Sequence, residues 1–136
     1  MKDIEELSIF IFHQIPQENC RMFIIDDLSA LDHEVKRIFL VSPDNPSTRG
    51  DHAHLDCWQT LVCIRGSIEV IVDNGHHKKQ FILSDYGQAI SIPPGLWCTQ
   101  NYSMASSLMV LCSHLYDEED YVRDYVKYLD YRKTRE

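Results

Sequence analysis

Arg49-Gly50-Asp51-His52-Ala53-His54 is the stretch on which the reading of this chain turns. On a β-strand, the two-residue period sets both imidazoles on one face and Ala53 on the other. That is how a barrel aims two titratable groups into its interior. A single histidine is most often structural. Two at this spacing, behind a glycine and ahead of Gln59 and the Gly66-Ser67 bend, mark a functional site whose groups titrate near ~6.5 when unperturbed.

Around this stretch lie short runs of Ile, Val, Leu, Phe and Cys, punctuated by only five glycines and five prolines. Such runs read as strands. Ser8–Ile15, Arg21–Ile25 and Glu34–Val41 precede the site, with Asp44–Gly50 as a loop. Leu61–Arg65 and Ser67–Val72 follow it, joined at Gly66 by a bend or bulge. Asp73-Asn74-Gly75 carries the Asn-Gly signal of a tight hairpin, with Lys79–Leu83 as the returning strand. Ala89–Ile92 and Ser107–Cys112 complete the set, separated by a turn at Pro93-Pro94-Gly95. About eight to ten short strands indicate an all-β domain, a barrel or double-sheet jelly roll. After Tyr116 the pattern changes. Acids at Asp117–Asp120, then Tyr121, Val122, Tyr125, Tyr128 and Leu129 at helical spacing, predict a C-terminal amphipathic helix over about 117–131, packed on the barrel.

The 136 residues make one domain, 44% hydrophobic and 25% charged, with enough apolar surface for a core. A formal charge of −8 argues against nucleic acid and anionic membranes as partners, so an anionic small molecule needs a local arginine. No apolar run reaches membrane-span length, and Met1–Glu6 lacks the apolar core of a secretory signal, which implies a cytoplasmic protein. Five cysteines without a CxxC pair imply reduced thiols and no structural zinc.

The His-x-His pair resembles the first motif of the cupin superfamily, and Gly87-x5-Pro93-x-Gly95-x2-Cys98 follows the second, with Cys98 where that motif has histidine. Gln59 stands in the region of the acidic ligand. A metal-binding cupin offers three His and one Glu; this chain offers His52, His54, Gln59 and Cys98. A neutral amide is a poor substitute for a carboxylate, although a thiolate binds zinc well. A metal-dependent cupin enzyme is therefore the weaker reading, and proton transfer by the two histidines the stronger.

A closer resemblance rests on Arg49-Gly-x-His-Ala-His54, Gln59-x-Leu-x-Cys63-x-x-Gly66-Ser67, Asp73-x-Gly75, Phe81-x-Leu83, Ile92-Pro-Pro94-x-x-Trp97 and Tyr116-Asp-Glu-x-Asp-Tyr-x-Arg-Asp-Tyr125. In these motifs, from about Lys36 to Leu129, the chain is similar to the nucleotide-sugar 3,4-ketoisomerases, the WxcM-like family of small cupins. The resemblance implies a cupin-type double-stranded β-helix and a homodimer exchanging N-terminal strands from residues 1–30. It implies an isomerase, free of metal and cofactor, that moves the keto group of a dTDP-4-keto-6-deoxyhexose from C4 to C3, supplying unusual sugars of surface polysaccharide such as lipopolysaccharide O-antigen. On it His52 and His54 are catalytic. Arg49 is the first candidate for the diphosphate, because guanidinium binds phosphate in bidentate fashion. Arg37, Arg65, Gln59, Cys98 and Trp97 complete the candidate substrate-binding set. The family commonly has a histidine at position 98 and a tyrosine in the strand holding Phe39 and Leu40. Loss of those groups keeps open a non-catalytic sugar-nucleotide-binding module. Arg123 is explained equally by a helix-surface pair with Glu119.

Overall fold

The computed structural model describes residues 2–136. Its strands are β1 (Phe10–Ile11), β2 (His13–Gln17), β3 (Cys20–Ile24), β4 (Arg37–Val41), β5 (Ser47–His54), β6 (Gln59–Arg65), β7 (Ile68–Asp73), β8 (Lys78–Leu83), β9 (Gln88–Ile92), β10 (Trp97–Tyr102), β11 (Ser107–Cys112) and β12 (Tyr121–Val122), followed by the helix α1 (Tyr125–Lys133). Two five-stranded antiparallel sheets, in the orders β1-β9-β6-β11-β4 and β12-β5-β10-β7-β8, face one another, and β2 pairs with β3 alone. This is the double-sheet barrel with one short C-terminal helix that the strand pattern predicts.

The core lies between the sheets. Leu61 and Cys63 of β6, Ile68, Val70 and Val72 of β7, and Leu108, Val110 and Cys112 of β11 meet there. On β4 the alternation is clean: Arg37, Phe39 and Val41 turn inward and are half-buried, while Ile38 and Leu40 are exposed. The first sheet is covered on its outer face as well, where Val62, Ala89 and Leu111 pack under Phe10, Phe12 and Phe23. Burial on both faces is why Leu61-Val62-Cys63 is a continuous apolar run rather than an alternating one. Helix α1 covers part of the other sheet. Tyr128 is fully buried against Trp97 and Ala53, and its hydroxyl donates to the carbonyls of Asp73 and Gly95 at 2.9 Å each.

Several elements differ from the sequence pattern, each because a tertiary partner overrides local composition. The loop expected over Asp44–Gly50 is already strand from Ser47, since polar Ser47, Thr48 and Arg49 pair with Tyr102, Asn101 and Gln100. Their partner strand β10, Trp97-Cys-Thr-Gln-Asn-Tyr102, carries no strand-like apolar run and is legible only from its position between β5 and β7. The expected strand Ser8–Ile15 splits at Phe12, whose amide is taken by the Gly87 carbonyl. The Asn-Gly hairpin is a four-residue connection instead of a two-residue turn, with Asn74 Oδ1 accepting from the amides of His76 and His77. The helix starts at Tyr125 rather than at about 117. Asp124 is its cap, accepting from the Lys127 amide, while the acids Glu118–Asp120 form a 3-10 turn and Tyr121–Val122 a strand.

One local feature positions everything that follows. The β5–β10 register runs Cys98↔His52 and then Thr99↔Gly50, so Asp51 is an extra residue, a β-bulge. Gly50 and Asp51 both have positive φ, +89° and +58°. Directly opposed residues share a face, so the bulge places Arg49, opposite inward Gln100, on the same inner face as His52, opposite inward Cys98. Without the extra residue, period two would put Arg49 outside.

A Cβ on Gly50 would sit 2.8 Å from the Cys98 carbonyl oxygen and 2.9 Å from Gln100 Oε1. We expect Gly50→Ala to lower the urea midpoint, with unchanged m, by an amount equal to about 1–3 kcal/mol. An unchanged midpoint would show that this bulge does not constrain the fold.

Candidate active site

The pleat delivers His52 and His54 to the inner face at the end of β5, with ring centroids 4.9 Å apart and planes nearly perpendicular. Tyr121, paired with His54 across β12–β5, lays its ring over both, 4.9 Å from His52 and 4.4 Å from His54. The two imidazoles have different partners, and this sets different chemistry.

His54 is buried, and its Nδ1 lies 2.8 Å from Oδ2 of Asp120. A carboxylate only accepts, so Nδ1 carries a proton and donates it, and in the neutral tautomer so selected Nε2 is the acceptor. Nε2 is buried with no hydrogen-bond partner in the protein. Asp120 is itself held: its carboxylate also accepts from the amides of Asp56 at 2.7 Å and Cys57 at 3.3 Å, and its carbonyl accepts from the Leu55 amide. One carboxylate thereby fixes both the ring and the backbone just after it.

His52 has no such partner. Burial, reinforced by His54 beside it, pushes its pKa down to about 4, against the pull of the Gly50 backbone. Its ring is neutral at neutral pH. Its Nδ1 is buried and makes no hydrogen bond of ordinary geometry.

Around the pair stand several of the residues singled out in the sequence. Cys98 opposes His52 across the strand pair, and burial pushes its thiol up to about 12, with Gln100 Nε2 donating to its sulfur at 3.2 Å. Gln59 faces inward beside Cys112, its amide 3.7 Å from that sulfur. Arg49 and Phe39 line an open cleft of about 670 Å³ between the edges of β4 and β5, together with Val41 and Ser47. Arg37, opposite Cys112 on β11, lies 4.8 Å from the Phe39 ring and 5.4 Å from that of Tyr116. Tyr116 packs 5.8 Å from Tyr121, over which Arg123 stacks at 4.2 Å. Arg37, Tyr116, Tyr121 and Arg123 thus form a continuous cation–aromatic rim.

Two candidates lie elsewhere. Trp97 faces outward and is covered by Tyr125 and Tyr128 of α1. Arg65 is at the far end of β6, six residues or roughly 20 Å along the strand from Gln59, in a cleft with Arg21 and Asp85. Arg123 pairs with Glu118, at 2.6 and 3.0 Å, and not with Glu119, because residues 118–123 form a 3-10 turn and a strand instead of an α-helix. The four residues read as a possible metal set do not converge as ligands: the Gln59 amide is directed at Cys112, and the Cys98 sulfur already accepts from Gln100.

Asp120 and Tyr121 join the candidate site although the sequence reading, which held both in the Tyr116–Tyr125 motif, gave neither a role there. Asp120 sits in an acidic run that resembles a helix start, and nothing local separates it from Asp117, Glu118 and Glu119. The phenol expected on β4 is absent at Phe39, while the inner face holds Tyr121 and Tyr102 instead, the latter pushed up to about 12 by burial.

The family model described as FdtA (WxcM-like, C-terminal) matches residues 5–133. A TDP-4-oxo-6-deoxy-α-D-glucose 3,4-oxoisomerase of Aneurinibacillus thermoaerophilus is 29% identical over 128 residues, 93% of this chain and 92% of that protein. The crystal structure of the sugar 3,4-ketoisomerase QdtA from Thermoanaerobacterium thermosaccharolyticum, in complex with TDP, superposes with a TM-score of 0.89 at 27% identity, covering 98% of each chain. A 3,4-ketoisomerase from Helicobacter canadensis does so at 0.87 and 28%, covering 94% of this chain and 98% of that one.

The depressed His52 pKa has a consequence for stability. The unfolded chain binds a proton near pH 6.5 that the folded site refuses until about pH 4. Stability is therefore undiminished by this group above about 6.5 and declines as pH falls towards 4, by up to about 3 kcal/mol. Urea titrations across that window should show a shallower slope for His52→Asn than for the parent; equal slopes would place the ring in contact with water.

Proposed function

This chain belongs to the FdtA (WxcM-like, C-terminal) family, and from that membership we propose that it is an isomerase that converts a dTDP-4-keto-6-deoxyhexose to the 3-keto isomer. The observation that carries the reading is the pair of inward histidines, one neutral and unpaired and one oriented by Asp120, beside a cleft with Arg49 at its wall. A crystal structure of a variant of the Thermoanaerobacterium relative is in complex with TDP-4-keto-6-deoxyglucose, which supports a substrate of that class here.

The reaction needs two proton movements. One proton leaves C3 and another arrives at C4; in parallel the C3 hydroxyl loses a proton while the C4 oxygen gains one. Two adjacent imidazoles match two movements. His52 takes the C3 proton, exchanges it with solvent, and delivers a proton to C4. Its low proton affinity belongs to the free site, and the negative charge of the developing enediolate raises it at the moment of transfer. His54 accepts from the C3 hydroxyl through Nε2, and Asp120 stabilises the imidazolium before the proton passes to the C4 oxygen. Arg49 and Arg37 meet the diphosphate at the cleft, which reconciles an overall charge of −8 with an anionic substrate.

A homodimer belongs to the same reading. The β2–β3 hairpin lies outside both large sheets, and exposed Ile9, Ile11 and Met22 beside it support a second copy covering this edge. We also place the protein in the cytoplasm, which suits five free cysteines; no helix among the described residues is long and apolar enough to cross a membrane.

Incubation with dTDP-4-keto-6-deoxyglucose in D2O, followed by NMR, should give a 3-keto sugar carrying solvent deuterium at the reacting carbon. His52→Asn, His54→Asn and Asp120→Asn should each lower kcat by roughly 10²-fold or more. Arg49→Ala should instead raise KM, by about ten- to a hundredfold, with a smaller effect on kcat. Binding of dTDP without turnover would overturn the enzymatic reading in favour of a binding module.

A further inference from the structure

One side chain beside the site, Cys57, has no part in the proton transfers. Cys57 is buried, and its sulfur, a ring nitrogen of His54 and a carboxylate oxygen of Asp120 lie within 4.8 Å of one another. Thiolate, imidazole and carboxylate are the three donor types zinc accepts, and their spacing is close to that of a tetrahedral site after small side-chain adjustments. Here the His54–Asp120 hydrogen bond of 2.8 Å already brings two of the donors together, and the Cys57 amide on Asp120 ties the third to them.

The cluster also has an entrance. An open cavity of about 610 Å³ borders Asp120 and is lined by Asp56, Asp117, Glu119 and His114, with Lys36 as the one lysine or arginine among its lining. Such a mouth concentrates cations beside the Asp120 carboxylate.

We propose that His54, Cys57 and Asp120 form an inhibitory site for zinc, entered through the acidic cavity. Binding is balanced as follows. Cys57 loses its thiol proton to solvent, and its sulfur bonds the metal. The proton on His54 Nδ1 leaves so that this nitrogen bonds the metal, while Nε2 gains a proton, so the ring remains neutral and one proton is released per ion. Asp120 exchanges its hydrogen bond from Nδ1 for a bond to the metal, and water completes the fourth position. With Nε2 protonated and Asp120 occupied, His54 no longer accepts from the substrate hydroxyl.

The test uses the full, untagged chain with Co²⁺ as a spectroscopic probe and Zn²⁺ as the inhibitor. Wild type should bind one Co²⁺ per chain with a near-ultraviolet thiolate charge-transfer band and release about one proton; Cys57→Ser and Cys57→Ala should lose the band. Both variants should retain wild-type turnover without metal, and the zinc concentration for half-inhibition should rise more than about tenfold. No band in wild type, the same band in both variants, or equal zinc inhibition of all three overturns the site. A Cys57-dependent band with no zinc effect on turnover overturns the involvement of His54. The activity arm rests on the isomerase reading; the cobalt arm does not, so a metal-binding chain without isomerase activity would sink that reading and leave the site standing.

Discussion

The β5–β10 register, with its single extra residue at Asp51, is the constraint on which the rest of the molecule depends. A strand of strict period two would turn Arg49 to the outer face and separate the cation at the cleft from the imidazoles. The bulge spends two positive-φ positions, one of them a non-glycine residue, to bring Arg49, His52 and His54 onto one face. Asp51 recovers part of that strain by accepting from the Thr99 hydroxyl at 2.8 Å. Gly50 has to be glycine twice over, for its φ and for its approach to the Cys98 carbonyl. The barrel supplies rigidity, and this irregularity supplies aim.

Electrostatics then divide two chemically identical side chains into different groups. Both rings are largely buried, both lie on the same face, and they touch one another. Only His54 meets a carboxylate. His52 meets its neighbour and the barrel wall, so desolvation lowers its proton affinity, reinforced by His54 and opposed only in part by the Gly50 backbone and Asp51. Pairs of titratable groups with diverging environments are how one fold assigns separate proton tasks.

The fold was legible where burial dictated composition. Leu61–Arg65, Ser67–Val72 and Ser107–Cys112 are strands because they line the core, and apolar runs bounded by turns say so. It was not legible where a neighbour dictated structure: β10 and the first residues of β5 are polar and become strands by pairing with each other and with β7. The same division holds at the site. His52, His54 and Arg49 were readable because the motif is local, although the bulge that unites them was not. Trp97 shared the motif's sequence neighbourhood but faces the opposite side of the sheet, under α1. Asp120 lies 66 residues from its histidine, in a run of acids of which only that one reaches the interior.

The way Asp120 and Tyr121 reach the site bears on when the protein becomes competent. The histidines come from the middle of the chain and pair onto β10, whereas the carboxylate that orients His54 and the phenol that covers both come from the segment that follows every large-sheet strand but β12 itself. The closing contact is long-range, so it carries a loop-closure cost that the barrel must already have met. A chain that stops short of Asp120 keeps both imidazoles but lacks the carboxylate that sets the His54 tautomer. The site is therefore complete only when the last strand of the sheet is in place, and the rest of the barrel does not by itself orient His54.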